Sequence, residues 1–275
     1  MRPERDNIAA PELPGRIKWL NRSEPPKMAE LTATGPVLVH FWDPTQLNSV
    51  RALPYVVEWN RRYSPHGLTT LGIHSPRFAL TADAEVTTEA IERLDVEHAV
   101  ALDLDYAIWH DYGCIGWPSL FLWGQGGSLR WAHRGEGEYR ATEEAIQDEL
   151  REANALAELP PPMDPLRATD EADVLVPVPT PEIFPGGSVA EPWVASSGKS
   201  HLKYEYEAGE AWIVADGEGE IGVTLDGEAL EPIEISPAAL MKLAGTGRHQ
   251  AHRLELDVTD GVRVWAISFA PGAPV

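Results

Sequence analysis

The stretch VLVHFWDPTQLNSVRALP, residues 37–54, reads as a buried strand running straight into a helix that has a proline inside it. Its first half is a short apolar run, the pattern of a strand at the centre of a sheet covered on both faces. Asp43 offers a carboxylate to the free N–H groups of a first helical turn. Pro44 fits the first helical position, where its missing N–H costs nothing. The expectation is a helix over 43–63, kinked at Pro54, which removes one backbone hydrogen bond. The junction carries Gln46, Leu47, Asn48 and Ser49, none of them a thiol.

Working outward, LTTLGIHS (68–75) reads as the next strand. EVTTEAIERLDV (85–96) has Ala90, Ile91 and Leu94 on one helical face. AVALDLDYAIWHDYG (99–113) gives a strand and a short helix. WPSLFLWGQGGSLRWAHRG (117–135) reads as a hairpin turning at Gly126-Gly127, and YRATEEAIQDELREANAL (139–156) as a closing amphipathic helix. The order β-α-β-α-β-β-α, with Trp117-Pro118 opening the hairpin, is the layout of a thioredoxin-like fold. A Pro-rich stretch then breaks the pattern. Beyond it come period-two runs such as HLKYEYEA and VRVWAISF, separated by Gly and Asp turns. The expected organisation is a thioredoxin-like α/β domain over 1–158, a linker over 159–187, and an all-β domain of jelly-roll or β-sandwich type over 188–275.

A chain of 275 residues with 43% hydrophobic content has room for two cores. A net charge of −21 argues against nucleic acid and anionic membrane as partners. The first residues, MRPERDNIAAPELPGR, hold no apolar signal-peptide region, and no run approaches the ~18 apolar residues of a membrane helix. A cytoplasmic location is the expectation. The single cysteine, Cys114, excludes an intrachain disulfide and a cysteine-based zinc site.

The chain resembles the thioredoxin-like, DipZ-type (TlpA-like) region of bacterial thiol–disulfide proteins, with its carbohydrate-binding-module-like C-terminal β domain. The nucleophile region of that family looks like VLVDFWTYTCINCLRTLPY, against VLVHFWDPTQLNSVRALPY here. LGIHSPRF, DLDYAIWHDY, WPSLFLW, HRGEGEYRATEEAIQDEL, TPEIF, HRLELDV and VWAISFAPG look like further family blocks in the same order. The resemblance implies that Gln46 and Ser49 occupy the two redox-cysteine positions. His40 occupies that of a buried aspartate that assists proton transfer. Pro54 keeps the helix kink, and Trp117-Pro118 keeps a cis-proline beside the site. The membrane electron-transfer part of DipZ proteins has no counterpart in this sequence.

Thiol–disulfide exchange needs a thiolate, acidified by the helix N-terminus, and a second thiol to resolve the mixed disulfide. A Gln46 amide supplies neither. Ser49 with His40 lacks an identified orienting acid and oxyanion hole, so polar first-turn residues of a capped helix are the reading preferred. Cys114, four residues before Pro118, reads as a buried structural thiol, with a redoxin or peroxidase role for it as the alternative. The histidines show no convincing metal spacing. His249 and His252 would face opposite sides of one regular strand, and His133 would contact neighbouring carboxylates. No metal or cofactor is expected. GQGGSL and GEGEY lack the context of a phosphate loop. Trp42, Trp117 and Pro118 are expected to flank the former redox groove, where a protein or extended peptide can dock after the thiols are gone. Trp193, Trp212 and Trp265 of the β domain read as core, and glycan binding there would require exposed aromatics. The expected function is therefore binding or scaffolding without thiol–disulfide activity.

Overall fold

A computed structural model describes residues 8–198, 200–235 and 238–274. Two short elements open the first sheet's unit: β1 (Trp19–Leu20) and α1 (Met28–Thr34). Neither has a local signal in the sequence. The N-terminus of α1 is satisfied from outside, by Glu12, whose carboxylate accepts from Met28 N at 3.0 Å and Ala29 N at 2.9 Å. The apolar run becomes β2 (Val37–Trp42), buried along its whole length. It leads to α2 (Leu47–Tyr63), with Pro54 on its exposed side. Then follow β3 (Thr69–His74), α3 (Ala84–Arg93), β4 (Ala99–Leu102) and α4 (Ala107–Asp111). The hairpin is β5 (Ser119–Trp123) with β6 (Leu129–Arg134), and α5 (Tyr139–Ala153) closes the unit. Gly126 and Gly127 at the hairpin turn have φ of 91° and 81°, which side chains disfavour.

The strands form one mixed sheet in the order β1-β4-β3-β2-β5-β6. β2, β3 and β4 are parallel, and the others pair antiparallel. Alternation along β2 splits the core. Val37, Val39 and Phe41 pack with Leu71, Ile73, Trp109, Tyr112 and Phe121. Leu38 meets Val56, Trp59 and Ile146, and Trp42 meets Leu53, Ile91, Val96 and Val100. Each such fully buried side chain contributes about 1.5–3 kcal/mol of transfer free energy.

The chain divides into two compact units, and the second takes Arg77–Val86 together with Pro165–Val275. Within it, Arg77 makes a two-pronged ion pair with Glu182, and the Phe78 ring lies 5.7 Å from that of Trp265. The Pro-rich segment holds little regular structure but much of it is anchored. Pro160 O accepts from Gln147 Nε2 at 2.9 Å, and Met163 N donates to Glu143 at 2.9 Å in the first unit. Thr180 N donates to Glu207 O at 2.8 Å, and Ile183 bridges to Ile267 in the second.

The second unit is all-β, as its period-two runs imply. Its strands are β7 (Trp193–Val194), β8 (His201–Asp216), β9 (Gly219–Leu225), β10 (Glu228–Ala229), β11 (Ile233–Ile235), β12 (Ala239–Val258) and β13 (Arg263–Ala270). They form one antiparallel sheet, ordered β10-β9-β12-β8-β13-β7 with β11 against β9. It curls into a half-barrel around Ile213, Leu254, Leu256, Val264 and Ile267. The runs SHLKYEYEA and EAWIVADG, and likewise ALMKLAG and HQAHRLELDV, read as separate strands in the sequence but are continuous. The glycines between them mark bends. A Cβ on Gly209 would fall 2.5 Å from Gly272 Cα, and one on Gly245 would fall 2.8 Å from Gly209 O. Bulges between Lys242 and Ala244 and between Gly245 and Gln250 let the long β12 curl.

Candidate functional site

The helix does not start where Asp43 and Pro44 suggest. Asp43 is fully buried and spends its carboxylate on Thr45, accepting from the backbone N at 2.8 Å and from the hydroxyl. Gln46 N donates to Asp43 O at 3.1 Å, so residues 43–46 form a turn instead of a first helical turn. Gln46 is the N-cap of α2, and its Oε1 accepts from Ser49 N at 2.8 Å. Ser49 is itself buried, with its Oγ 3.4 Å from Asp43 N. The two positions that the resemblance equates with redox cysteines thus hold a capping pair. The amide oxygen takes the N–H group that a thiolate there would use.

Beneath them lies a frame of buried polar groups. His74 Nδ1 is 3.9 Å from Asp43 Oδ2, and His74 Nε2 lies 3.1 Å from Thr87 Oγ1. Asp103 accepts from Ile108 N and Trp109 N, both at 2.9 Å, and so caps α4 from outside the helix. Ser75 Oγ also donates to Asp103, at 3.1 Å. Trp117 Nε1 donates to Ser75 O at 3.0 Å, and its ring sits 4.4 Å from that of Trp109. The Trp117-Pro118 peptide is cis. Pro118 O accepts from Gly135 N at 2.8 Å. Next to Gly135, Glu136 pairs with Arg51 of α2 at 2.7 Å in a largely buried contact. The helix start, the loop into β5 and the loop into α5 are tied together at one end of the sheet.

His40 is fully buried in β2, opposite Gly72 of β3. Neither ring nitrogen has a hydrogen-bond partner in the protein. Burial first, and the nearby His98 second, push its pKa down to about 3. Burial alone takes His98 down to about 4. Both imidazoles are neutral at pH 7 and ill suited to act as an acid in place of aspartate. Gly72 makes room for Trp42 and His98: a Cβ there would lie 3.1 Å from Trp42 Nε1 and 3.3 Å from His98 Nε2.

The expected groove residues require correction. Trp42 is fully buried among apolar side chains and Pro118 is buried as well, so neither side chain can meet a docked chain. Trp117 is half-buried and Ile115, two residues earlier, is 77% exposed, so the accessible apolar surface lies on this loop instead. Cys114 is only 6% exposed, packs in the core, and has its thiol pushed up to about 12, chiefly by burial. It is not a thiolate at neutral pH, which removes the basis for a redoxin or peroxidase role. His133 meets the backbone of Gly135 and Glu136, and burial lowers its pKa. Among the described residues, no group of three His, Cys, Asp or Glu side chains is arranged to hold a metal ion. Among the described residues, none of the exposed large hydrophobic side chains is aromatic; Trp193 and Trp265 are buried, but Trp212, expected in the core, is half-buried and its Nε1 donates to Glu210 Oε2 at 2.9 Å.

No family model matches the chain. It is similar to Protein DipZ of Mycobacterium tuberculosis and of Mycobacterium bovis, at 26% identity over 94% of this chain. It spans 42% of the length of those proteins. Over 52% of the chain it is 25% identical to the thiol-disulfide oxidoreductase YkuV of Bacillus subtilis, of which it covers 94%. Among solved structures, a thioredoxin-like protein in its oxidised form matches 52% of this chain and 95% of its own, at 25% identity and a TM-score of 0.48. A thiol-disulfide isomerase from Corynebacterium glutamicum matches 51% of this chain and 96% of its own, at 18% identity and a TM-score of 0.46. Among the described residues, no helix is long and apolar enough to cross a membrane.

Proposed function

The chain being a DipZ-like, thioredoxin-like protein with an added C-terminal β domain and a single cysteine, hence no Cys-x-x-Cys pair, we propose that it binds an extended protein segment without exchanging disulfides. The surface that carries this reading is the loop into β5, where Ile115 is exposed and Trp117 half-buried beside a helix start with no nucleophile. Hydrogen bonds from Trp117 Nε1 to Ser75 and between Gly135 and Pro118 hold that loop in place, so docking there would not first have to order it. Its apolar side chains would supply contact area and its backbone would supply hydrogen bonds to an extended chain.

The test uses a fluorescently labelled insulin B chain with its cysteines carboxymethylated, titrated with the full chain and read by anisotropy. Saturable binding is expected, weakened about 10-fold or more by Trp117→Ala and by Ile115→Ser. A flat titration, or one that neither substitution changes, would overturn the reading. Glycan binding by stacking is not favoured, because the half-barrel shows no exposed aromatic side chain among its described residues.

A further inference from the structure

The second unit is discontinuous in sequence: its segment Arg77–Val86 follows β3, and the rest begins at Pro165. Arg77 and Phe78 enter a site built by the later part. The Arg77 guanidinium makes its two-pronged pair with Glu182, 105 residues on, and both side chains are largely buried. Glu182 is held for this contact, because its Oε1 also accepts from Ser268 Oγ of β13 at 2.7 Å. The guanidinium carbon lies 5.8 Å from the centre of the Phe184 ring. Phe78 is 2% exposed, with the Phe184 ring at 6.5 Å and the Trp265 ring at 5.7 Å. Trp265 is fixed in turn, since its Nε1 donates to Asp216 Oδ1 at 3.1 Å. One position takes a guanidinium by paired, charge-assisted hydrogen bonds, and the next takes an aromatic ring. Buried anchors of these two kinds dominate the binding energy of protein interfaces.

The chain that leads into this site from the other side is of a different kind. Among the described residues, none of 172–179 makes a hydrogen bond within the protein. Leu175 is 85% exposed and Val178 is 88% exposed. Pro177 and Pro179 have no N–H to offer a neighbouring strand. Exposed backbone free of hydrogen bonds is where a protease cuts a folded chain first. A cut there leaves Arg77-Phe78 on one fragment and Glu182, Phe184 and Trp265 on the other.

We propose that Glu182, Phe184 and Trp265 form a docking site for an Arg-Phe segment, filled in cis by Arg77-Phe78, and that this site keeps the two parts of the chain assembled when the 172–179 connection is cut.

The experiment nicks the folded full chain with thermolysin under native conditions and follows both fragments by mass spectrometry and size-exclusion chromatography. Thermolysin favours a leucine after the scissile bond. Hydrolysis is therefore expected between Val174 and Leu175, with water supplying the new carboxylate oxygen and the proton of the new amine. The two large fragments should co-elute. Phe78→Ala should raise the concentration below which they separate about 10-fold or more. Arg77→Gln, which keeps the length of the side chain and loses its charge, should raise it about 3-fold or more, and it keeps the test decisive if Phe78→Ala does not fold. Thermal unfolding of each intact variant shows whether it is folded. A first cut into two large fragments outside 172–179, wild-type fragments that separate at once, or folded variants whose fragments separate no more readily than those of the wild type would each overturn the proposal.

Discussion

The start of α2 and the half-barrel hold buried polar groups in opposite conditions. At the helix start they are used up: Gln46 caps Ser49, Asp43 holds Thr45, and Asp103 caps α4 while taking the Ser75 hydroxyl. In the half-barrel, Asp226 holds His252 by Nδ1, while His252 Nε2 and the Tyr206 hydroxyl are buried with no hydrogen-bond partner in the protein. A polar group that has found its partner stabilises the fold and is closed to chemistry. One that is buried without a partner costs stability. The region that the family resemblance marks as active is therefore the closed one.

The largest expected effect comes from reopening it. Gln46→Cys with Ser49→Cys places two thiols on the first turn of α2, where the N-terminal N–H groups favour a thiolate. Disulfide-reductase activity should go from none to measurable in an insulin-reduction assay. A folded double variant with no activity would mean that the frame itself, and not only its sulfur, has been altered; His40 in place of the aspartate is the first residue to examine.

The second effect separates His40 and His98 from the partnered groups above them. Their folded pKa values, about 3 and about 4, lie below the 6.5 of an unfolded histidine. Between these limits the unfolded chain takes up protons that the folded chain refuses. Their contribution to stability is whole above about pH 6.5 and is lost as pH falls, at about 1.4 kcal/mol per pH unit for each histidine. His40→Leu should remove about that much slope from the pH dependence of urea unfolding between pH 6 and 4. An unchanged slope would show that His40 is hydrated or partnered in solution.

The smallest effect concerns the cap. Gln46→Ala removes the acceptor for Ser49 N and should cost about 1 kcal/mol in urea unfolding. No loss would indicate that the residue has no capping role.

Apolar periodicity and glycine turns made the α/β frame legible, because burial follows them directly. Caps supplied from a distance were not legible. Glu12 serves a helix sixteen residues on, and Asp103 caps one that starts four residues after it. Asp43-Pro44 read as a helix start only because nothing in the sequence shows that the Asp43 carboxylate is spent on Thr45. Gly209 and Gly245 read as strand breaks, since a bend forced by close backbone approach looks the same in sequence as a turn. The packing of Phe78 beside Trp265 had no periodic signal at all.

The resemblance drew attention to Gln46 and Ser49, but the burial of Trp42 was not legible. An apolar residue at a strand end reads alike whether it lies above or beneath the site. The pair of His252 and Asp226 spans 26 residues with no motif between them. Its signal was an alternation in which His252 shares the buried face of β12 with Leu254 and Leu256.

The account rests on a thioredoxin-like frame whose one thiol, Cys114, is buried and uncharged at neutral pH. Reduction of insulin by the purified full chain, with dithiothreitol as the terminal reductant, tests this directly. The expected rate is that of dithiothreitol alone. A faster rate that disappears in Cys114→Ser would contradict the account.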